Sequence, residues 1–308
     1  MNSVVFFGNE QLSSTRQPSS VHAFQSLIDS GYPIEALVIK ARPQKSRQPN
    51  EPAIVNIANK NNVPIIRLSD KTQLLEICNT FTSEVAILAA FGMIIDQAVI
   101  NHFKHGIINI HPSLLPKYRG TTPIETAILN GDKETGVSIM KLTSGMDSGP
   151  IFAQAIQILT GKESKAQLTD SLDSLGATLL INVLPGIFDG SIKATPQSES
   201  RASYTKMLTK EDSRLDFSKS AEQLEREIRA LAEWPGSKTT INGTEVTITS
   251  AYGVPSNDQS KKAGEYWIVE EANLLAIETG SGYLCVQTLK PVGRSEMTAV
   301  EFINGYLH

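Results

Sequence analysis

Ile107–Pro123 reads IINIHPSLLPKYRGTTP, and the rest of the chain is organised around it. Ile107, Ile108 and Ile110 are β-branched and suit a buried, pleated strand. His111-Pro112 ends that strand, because proline has no N–H to give to a ladder. Asn109 and His111 are two residues apart, so both side chains leave the same face. An amide and an imidazole are thus presented together at a strand's carboxyl end, where open α/β sheets bind ligands. The loop that follows has Pro112, Pro116 and Gly120 and carries Lys117, Tyr118 and Arg119. Taken alone, the stretch reads equally well as a strand end with a satisfied polar pair and a basic surface loop.

A second stretch tips that balance. Ser144-Gly145-Met146-Asp147-Ser148-Gly149-Pro150 holds a carboxylate between two glycines, after another apolar segment. A carboxylate beside a histidine orients the ring and favours its charged form. Asn109, His111 and Asp147 together are the parts that acyl transfer to an amine requires. One group polarises a carbonyl, one moves protons, and one orients the second. Asp147 by itself reads as a turn residue, since Asp and Gly are common in turns.

NIHPSLLPKYRGTTPI followed by a D-x-G loop resembles the signature of the 10-formyltetrahydrofolate-dependent formyltransferases, and the resemblance covers nearly the whole chain. It implies a Rossmann-like open-sheet α/β formyltransferase domain followed by a small OB-like β-barrel. It implies 10-formyltetrahydrofolate as formyl donor and the α-amine of methionyl initiator tRNA as acceptor, in translation initiation. Asn109, His111 and Asp147 are then the catalytic trio. Phe91, Gly92, Met93, Ile94 and Ile95 match the family's folate loop, and Ser113, Leu114, Leu115 and Pro116 complete that pocket. A pterin is flat and rich in donors and acceptors, and such a loop offers apolar cover with fixed backbone partners. Sister enzymes with the same trio formylate amino sugars carried on nucleotides, which is the alternative reading. A non-catalytic RNA-binding protein on this fold should have lost one of the trio, and all three are present.

KARPQKSR, residues 40–47, has four basic residues and no acidic one, a local charge of +4 by count. It leaves the carboxyl end of a predicted strand, on the side of the proposed site. Its composition alone suits a solvated loop. It also resembles the family loop that enters the tRNA acceptor stem, which makes Lys40, Arg42, Lys45 and Arg47 candidate tRNA contacts. The family loop usually contains glycines, and this one has Pro-Gln-Lys-Ser. The family also has Gly-Thr-Pro after its first strand, where this chain has Gly8-Asn9-Glu10, and Trp where this chain has Phe217.

The composition sets bounds on all of this. The 308 residues suit two domains, and the net charge of −4 leaves any RNA contact to local patches. Cys78 and Cys285 are far apart and form no C-x-x-C pair, so free buried thiols are expected, with neither a zinc site nor a disulfide. No ligand cluster for a metal is evident, and none is needed. MNSVVFFGNE lacks the pattern of a signal peptide, and no stretch looks long and apolar enough for a membrane helix. The expectation is a cytoplasmic monomer without membrane contact.

Along the chain, Val4–Gly8 reads as a buried parallel strand, Val21–Ile28 as a helix, and Ile34–Ile39 as a second strand. Helices are expected at Ala53–Lys60, around Leu74–Cys78 and at Pro123–Leu129, with strands at Val63–Ile66 and Val85–Ala90. Gly136–Leu142 and Ile151–Ile158 alternate like exposed strands. Leu168 to Leu184 repeats at helical spacing and closes the first domain, residues 1–189. Residues 190–204 have linker composition. Residues 205–308 form the second domain: one helix capped by Ser220 and Gln223, then five short strands that suggest an OB-type barrel.

Overall fold

The computed structural model describes residues 2–9, 20–41, 52–256, 261–269 and 274–307. The chain forms two compact units. The first comprises Met1–Pro123, Glu134–Leu159 and Ala166–Lys206; the second comprises Ile124–Lys133, Thr160–Lys165 and Met207–His308.

The first unit is built on a seven-stranded sheet: β1 (Val4–Gly8), β2 (Ile34–Lys40), β3 (Ile65–Leu68), β4 (Val85–Ala89), β5 (Gly106–His111), β6 (Glu134–Lys141) and β7 (Ile151–Ile158). Their order is β3-β2-β1-β4-β5-β6-β7. β1 to β5 pair in parallel, while β6 and β7 pair antiparallel. The strand order reverses between β1 and β4, and ligands bind at such a switch point. Four helices, α1 (Val21–Asp29), α2 (Ala53–Lys60), α3 (Gln73–Cys78) and α4 (Gln97–His102), connect the parallel strands. β1 is VVFFG and is buried throughout, as a strand covered on both faces must be. The Phe7 ring meets Phe91 and Phe103 edge-on, with centroids 5.1 Å and 6.2 Å away.

α5 (Pro123–Asn130) starts with a proline in its first turn. α6 (Lys165–Asp189) is the long helix read from the leucine repeat. It runs close to the sheet, because a Cβ on Gly176 would lie 2.7 Å from Ile110 Cγ2. Contrary to the expectation from sequence, α6 is long and apolar enough to cross a membrane by length and composition alone, with a mean hydropathy of 1.4. Half of that 18-residue apolar window is buried in the protein, and Leu172, Leu180 and Leu184 are among the buried residues of the helix. β6 also differs from the reading of an exposed strand. It lies between β5 and β7, and Val137, Ser138, Ile139 and Met140 are all buried. β3 lies two residues later than read, at Ile65–Leu68.

In the second unit, α7 (Ala221–Leu231) has the Ser220–Gln223 capping box in both directions. β8 (Lys238–Ile241), β9 (Thr244–Val254), β10 (Tyr266–Val269), β11 (Leu274–Glu278), β12 (Tyr283–Pro291) and β13 (Met297–Thr298) follow. They form an antiparallel sheet ordered β10-β11-β12-β9-β8, with β13 on β12. Asn242-Gly243 turns β8 into β9 with both residues at positive φ, the hairpin geometry that Asn-Gly favours. Register shifts around Thr288 interrupt the β9–β12 ladder. Such bulges bend a strand, and this sheet curls into an OB-like half-barrel. Its core includes Leu224, Ile228, Ile248, Leu275, Val286 and Phe302. The sequence reading expected five strands and one helix. α8 (Ala299–Tyr306) is an addition, and its Thr298–Glu301 capping box was a usable signal.

Candidate active site

The carboxyl ends of β2, β1, β4 and β5 lie along one edge of the first sheet. Gly8 is in register with Ile39 and Ala89, and Leu88 with Asn109. Lys40 is exposed at the end of β2. Arg42, Lys45 and Arg47, the other three candidate tRNA contacts, lie outside the described residues.

Asn109 and His111 leave the same face of β5, 6% and 4% exposed. His111 Nε2 is 2.9 Å from the main-chain oxygen of Tyr118. A carbonyl only accepts, so Nε2 carries the hydrogen and Nδ1 is the nitrogen left to exchange protons. His111 Nδ1 is 3.7 Å from Asp147 Oδ2, longer than a hydrogen bond. The same Asp147 oxygen accepts the Gly120 N–H at 2.8 Å. Asp147 sits at φ +44°, a left-handed backbone that side chains seldom adopt and that clusters at functional sites. The fold thus brings an amide and an imidazole together on one face of β5, with a carboxylate facing the imidazole.

The Ser113–Pro116 loop is held from below by Ser138 of β6. Ser138 Oγ donates to Ser113 O at 2.6 Å and accepts Leu115 N–H at 3.0 Å. Gln154 of β7 donates to Leu115 O and to Ser138 Oγ. Ser113 Oγ closes the turn onto Lys117 O at 2.6 Å. Leu115 is buried and Leu114 half-buried. In the other loop, Phe91 and Ile95 are committed to the core, while Ile94 is 77% exposed. Gly92 has φ +72°, which lets the loop turn sharply after Phe91. The two loops emerge from neighbouring strands, β4 and β5.

A family model described as formyl transferase matches residues 36–184, and one described as formyl transferase, C-terminal domain, matches residues 207–307. The chain is 39% identical to the methionyl-tRNA formyltransferase of Chloroflexus aurantiacus, over 93% of both chains. The chain belongs to the formyl transferase family. A second relative, the methionyl-tRNA formyltransferase of Enterococcus faecalis, is 32% identical over 99% of this chain and 96% of its own. Among solved structures, HypX from Aquifex aeolicus in complex with tetrahydrofolic acid superposes with a TM-score of 0.69 at 17% identity, covering 99% of this chain and 47% of its own. The chain therefore spans about half the length of HypX. WlaRD, a sugar 3N-formyl transferase, gives 0.68 at 20% identity, covering 96% of this chain and 99% of its own. At such identities these two show the shared formyl transferase fold alone.

Sequence reasoning missed the residues that brace this site. Arg119, whose sequence neighbourhood suits a basic surface loop, is fully buried. Gln197, Glu199 and Tyr204 fell in a stretch of linker composition, yet all three bond the Arg119 guanidinium. Their separation of about 80 residues from Arg119 leaves no local pattern to read. Among the described residues, no group of three or more His, Cys, Asp or Glu could hold a metal ion. Cys78 and Cys285 are free and buried, and burial pushes the Cys78 thiol up to about 12, which makes it a poor nucleophile.

Proposed function

We propose that this chain transfers the formyl group of 10-formyltetrahydrofolate to the α-amino group of methionyl initiator tRNA, for translation initiation. The observation that carries the reading is the likeness to methionyl-tRNA formyltransferases across 93% of the chain, both family domains included. The folate is the co-substrate and supplies the formyl carbon that the amine attacks. The Asn109 amide donates to the formyl oxygen as negative charge develops there. The amine proton reaches the departing folate nitrogen through the pair: Asp147 accepts it and passes it to His111 Nδ1, which delivers it as the C–N bond to folate breaks. Gly92, Met93, Ile94, Ser113, Leu114 and Pro116 border the folate, with Phe91, Ile95 and Leu115 anchoring the two loops. Lys40, Arg42, Lys45 and Arg47 meet the acceptor stem, the first, third and fourth as general phosphate attraction and Arg42 as the discriminating contact. The chain acts as a monomer in the cytoplasm.

The test supplies labelled 10-formyltetrahydrofolate with either methionyl-tRNA or nucleotide-linked amino sugars. Label on methionyl-tRNA is expected, and label on the sugars alone would overturn the acceptor while keeping the chemistry. Arg42→Ala refines the test. It should lower kcat/KM for initiator tRNA by about 1–3 kcal/mol, the size of one base contact, and narrow the gap to elongator methionyl-tRNA at fixed salt. Equal weakening of both tRNAs would make Arg42 only another positive charge.

A further inference from the structure

Asp147 is gripped from two sides. Gly120 N–H holds its carboxylate at 2.8 Å, and the Gln197 side chain holds its main chain. Gln197 Nε2 donates to Asp147 O at 2.7 Å and to Gly149 O at 2.7 Å, straddling the turn in which Asp147 adopts φ +44°. On its other side, Gln197 Oε1 accepts from Arg119 Nε at 3.0 Å. The guanidinium only donates and the two carbonyls only accept, so the amide has one orientation that satisfies all three.

Arg119 is itself fixed. Its Nη1 and Nη2 form a fork on Glu199 at 2.9 Å and 2.8 Å, and Nη1 also donates to Tyr204 Oη at 2.9 Å. Its main chain bonds Ser203 O at 2.9 Å and Thr205 N–H at 2.8 Å. The residues on either side of Arg119 reach the trio directly: Tyr118 O takes the His111 Nε2 hydrogen, and Gly120 N–H takes Asp147. One short segment thus orients the histidine, the aspartate and the glutamine together.

We infer that Gln197, its amide aimed by Arg119, is a positioning residue of the reaction: it holds Asp147 in the left-handed backbone that keeps the carboxylate against Gly120 N–H and facing His111 Nδ1. This rests on the reading of Asp147 as a member of the transferring trio. Gln197 lies on a half-exposed loop outside the apolar core. Without that amide, Asp147 is free to leave the left-handed region, and a displacement of about 1 Å at a reacting group costs up to about 100-fold in rate.

The experiment uses the full chain with Gln197→Met, which keeps length and volume and removes the donor and the acceptor. Turnover should fall by about tenfold or more, with the KM for formyl-folate little changed. The same substitution in an Asp147→Gly background, where glycine suits the backbone and the carboxylate is gone, should cost less than about twofold. Equal losses in both backgrounds, or unchanged turnover in the first, would overturn the inference. A second readout needs no activity. Amide exchange at Gly120 should quicken about tenfold or more in Gln197→Met while Ile108 in β5 stays protected. Unchanged protection at Gly120 would overturn the inference even if the wild-type chain proved to formylate a different amine, an outcome that would strike only the proposed acceptor.

Discussion

Asn109 puts a polar amide on a strand whose other positions are mostly apolar. A Leu or Val there would continue the apolar strand, whereas the amide offers a donor and an acceptor. The donor meets a carbonyl oxygen when one arrives, and the bond gains most as that oxygen becomes charged. Asn109→Ala is therefore expected to lower kcat by roughly 100- to 1000-fold, the loss of one such donor, with formyl-folate affinity nearly unchanged. Single-turnover formylation and equilibrium folate binding measure the two separately. A turnover within a few-fold of wild type would remove Asn109 from the trio. His111 differs in kind, since the fold already occupies its Nε2 with Tyr118 O and leaves one nitrogen for chemistry.

Helices α1 and α6 meet at a buried carboxylate. Asp173 on α6 accepts the His22 N–H from the first turn of α1 at 3.3 Å. Burial pushes its pKa up to about 7, against the opposing pull of the His22 hydrogen bond and charge and with a small push from Asp170. His22 Nε2 lies 3.0 Å from Asp170 Oδ1 on the outer side of the same contact. Unfolded, an aspartate loses its proton near 3.8, so between that value and about 7 the folded chain binds the extra proton. Its contribution to stability is thus fully present below the unfolded value and is lost as pH rises through the folded one. Asp173→Asn keeps an acceptor for the His22 N–H and removes the titration. The variant should melt at least about 2 °C above wild type at pH 8, with the gap closing towards pH 5. Melting curves at the two pH values check this, and a gap independent of pH would refute it.

For the molecule as a whole, the segment after α6 matters more than its composition implies. Residues 190–204 are poor in large apolar side chains, yet they belong to the first compact unit, which runs on to Lys206. Their stabilising contribution is polar: the Arg119 guanidinium, the Tyr118 N–H on Ser203 Oγ at 2.9 Å, and a bridge from Ile151 to Thr195. Glu199 is largely exposed, and the Arg119 hydrogen bond holds its carboxyl below the usual range. A chain cut after Asp189 would leave a buried guanidinium without Gln197, Glu199 and Tyr204. It should be less stable than a chain cut after Lys206 by at least roughly 1–3 kcal/mol, the cost of orphaned buried polar groups. Urea unfolding of the two fragments gives the comparison, and equal midpoints would show the segment to be a bystander.

What the sequence determined by itself is whatever short-range pattern controls. The β-branched run before His111-Pro112 specified a strand and its end, and the two-residue offset put Asn109 and His111 on one face. The Ser220–Gln223 pair specified where α7 begins, and Asn242-Gly243 a hairpin. The motif around them was enough to name the family. Only the tertiary structure decided that β6 is buried, that Arg119 is a fully buried cation and that Gln197 grips the Asp147 turn. Those outcomes depend on which distant segments come to lie together. Charge and exposure cannot be read from a residue type when the partner that neutralises or covers it is some 50 to 80 positions away. Strand and cap signals act within a few residues, whereas desolvation is set by the whole fold.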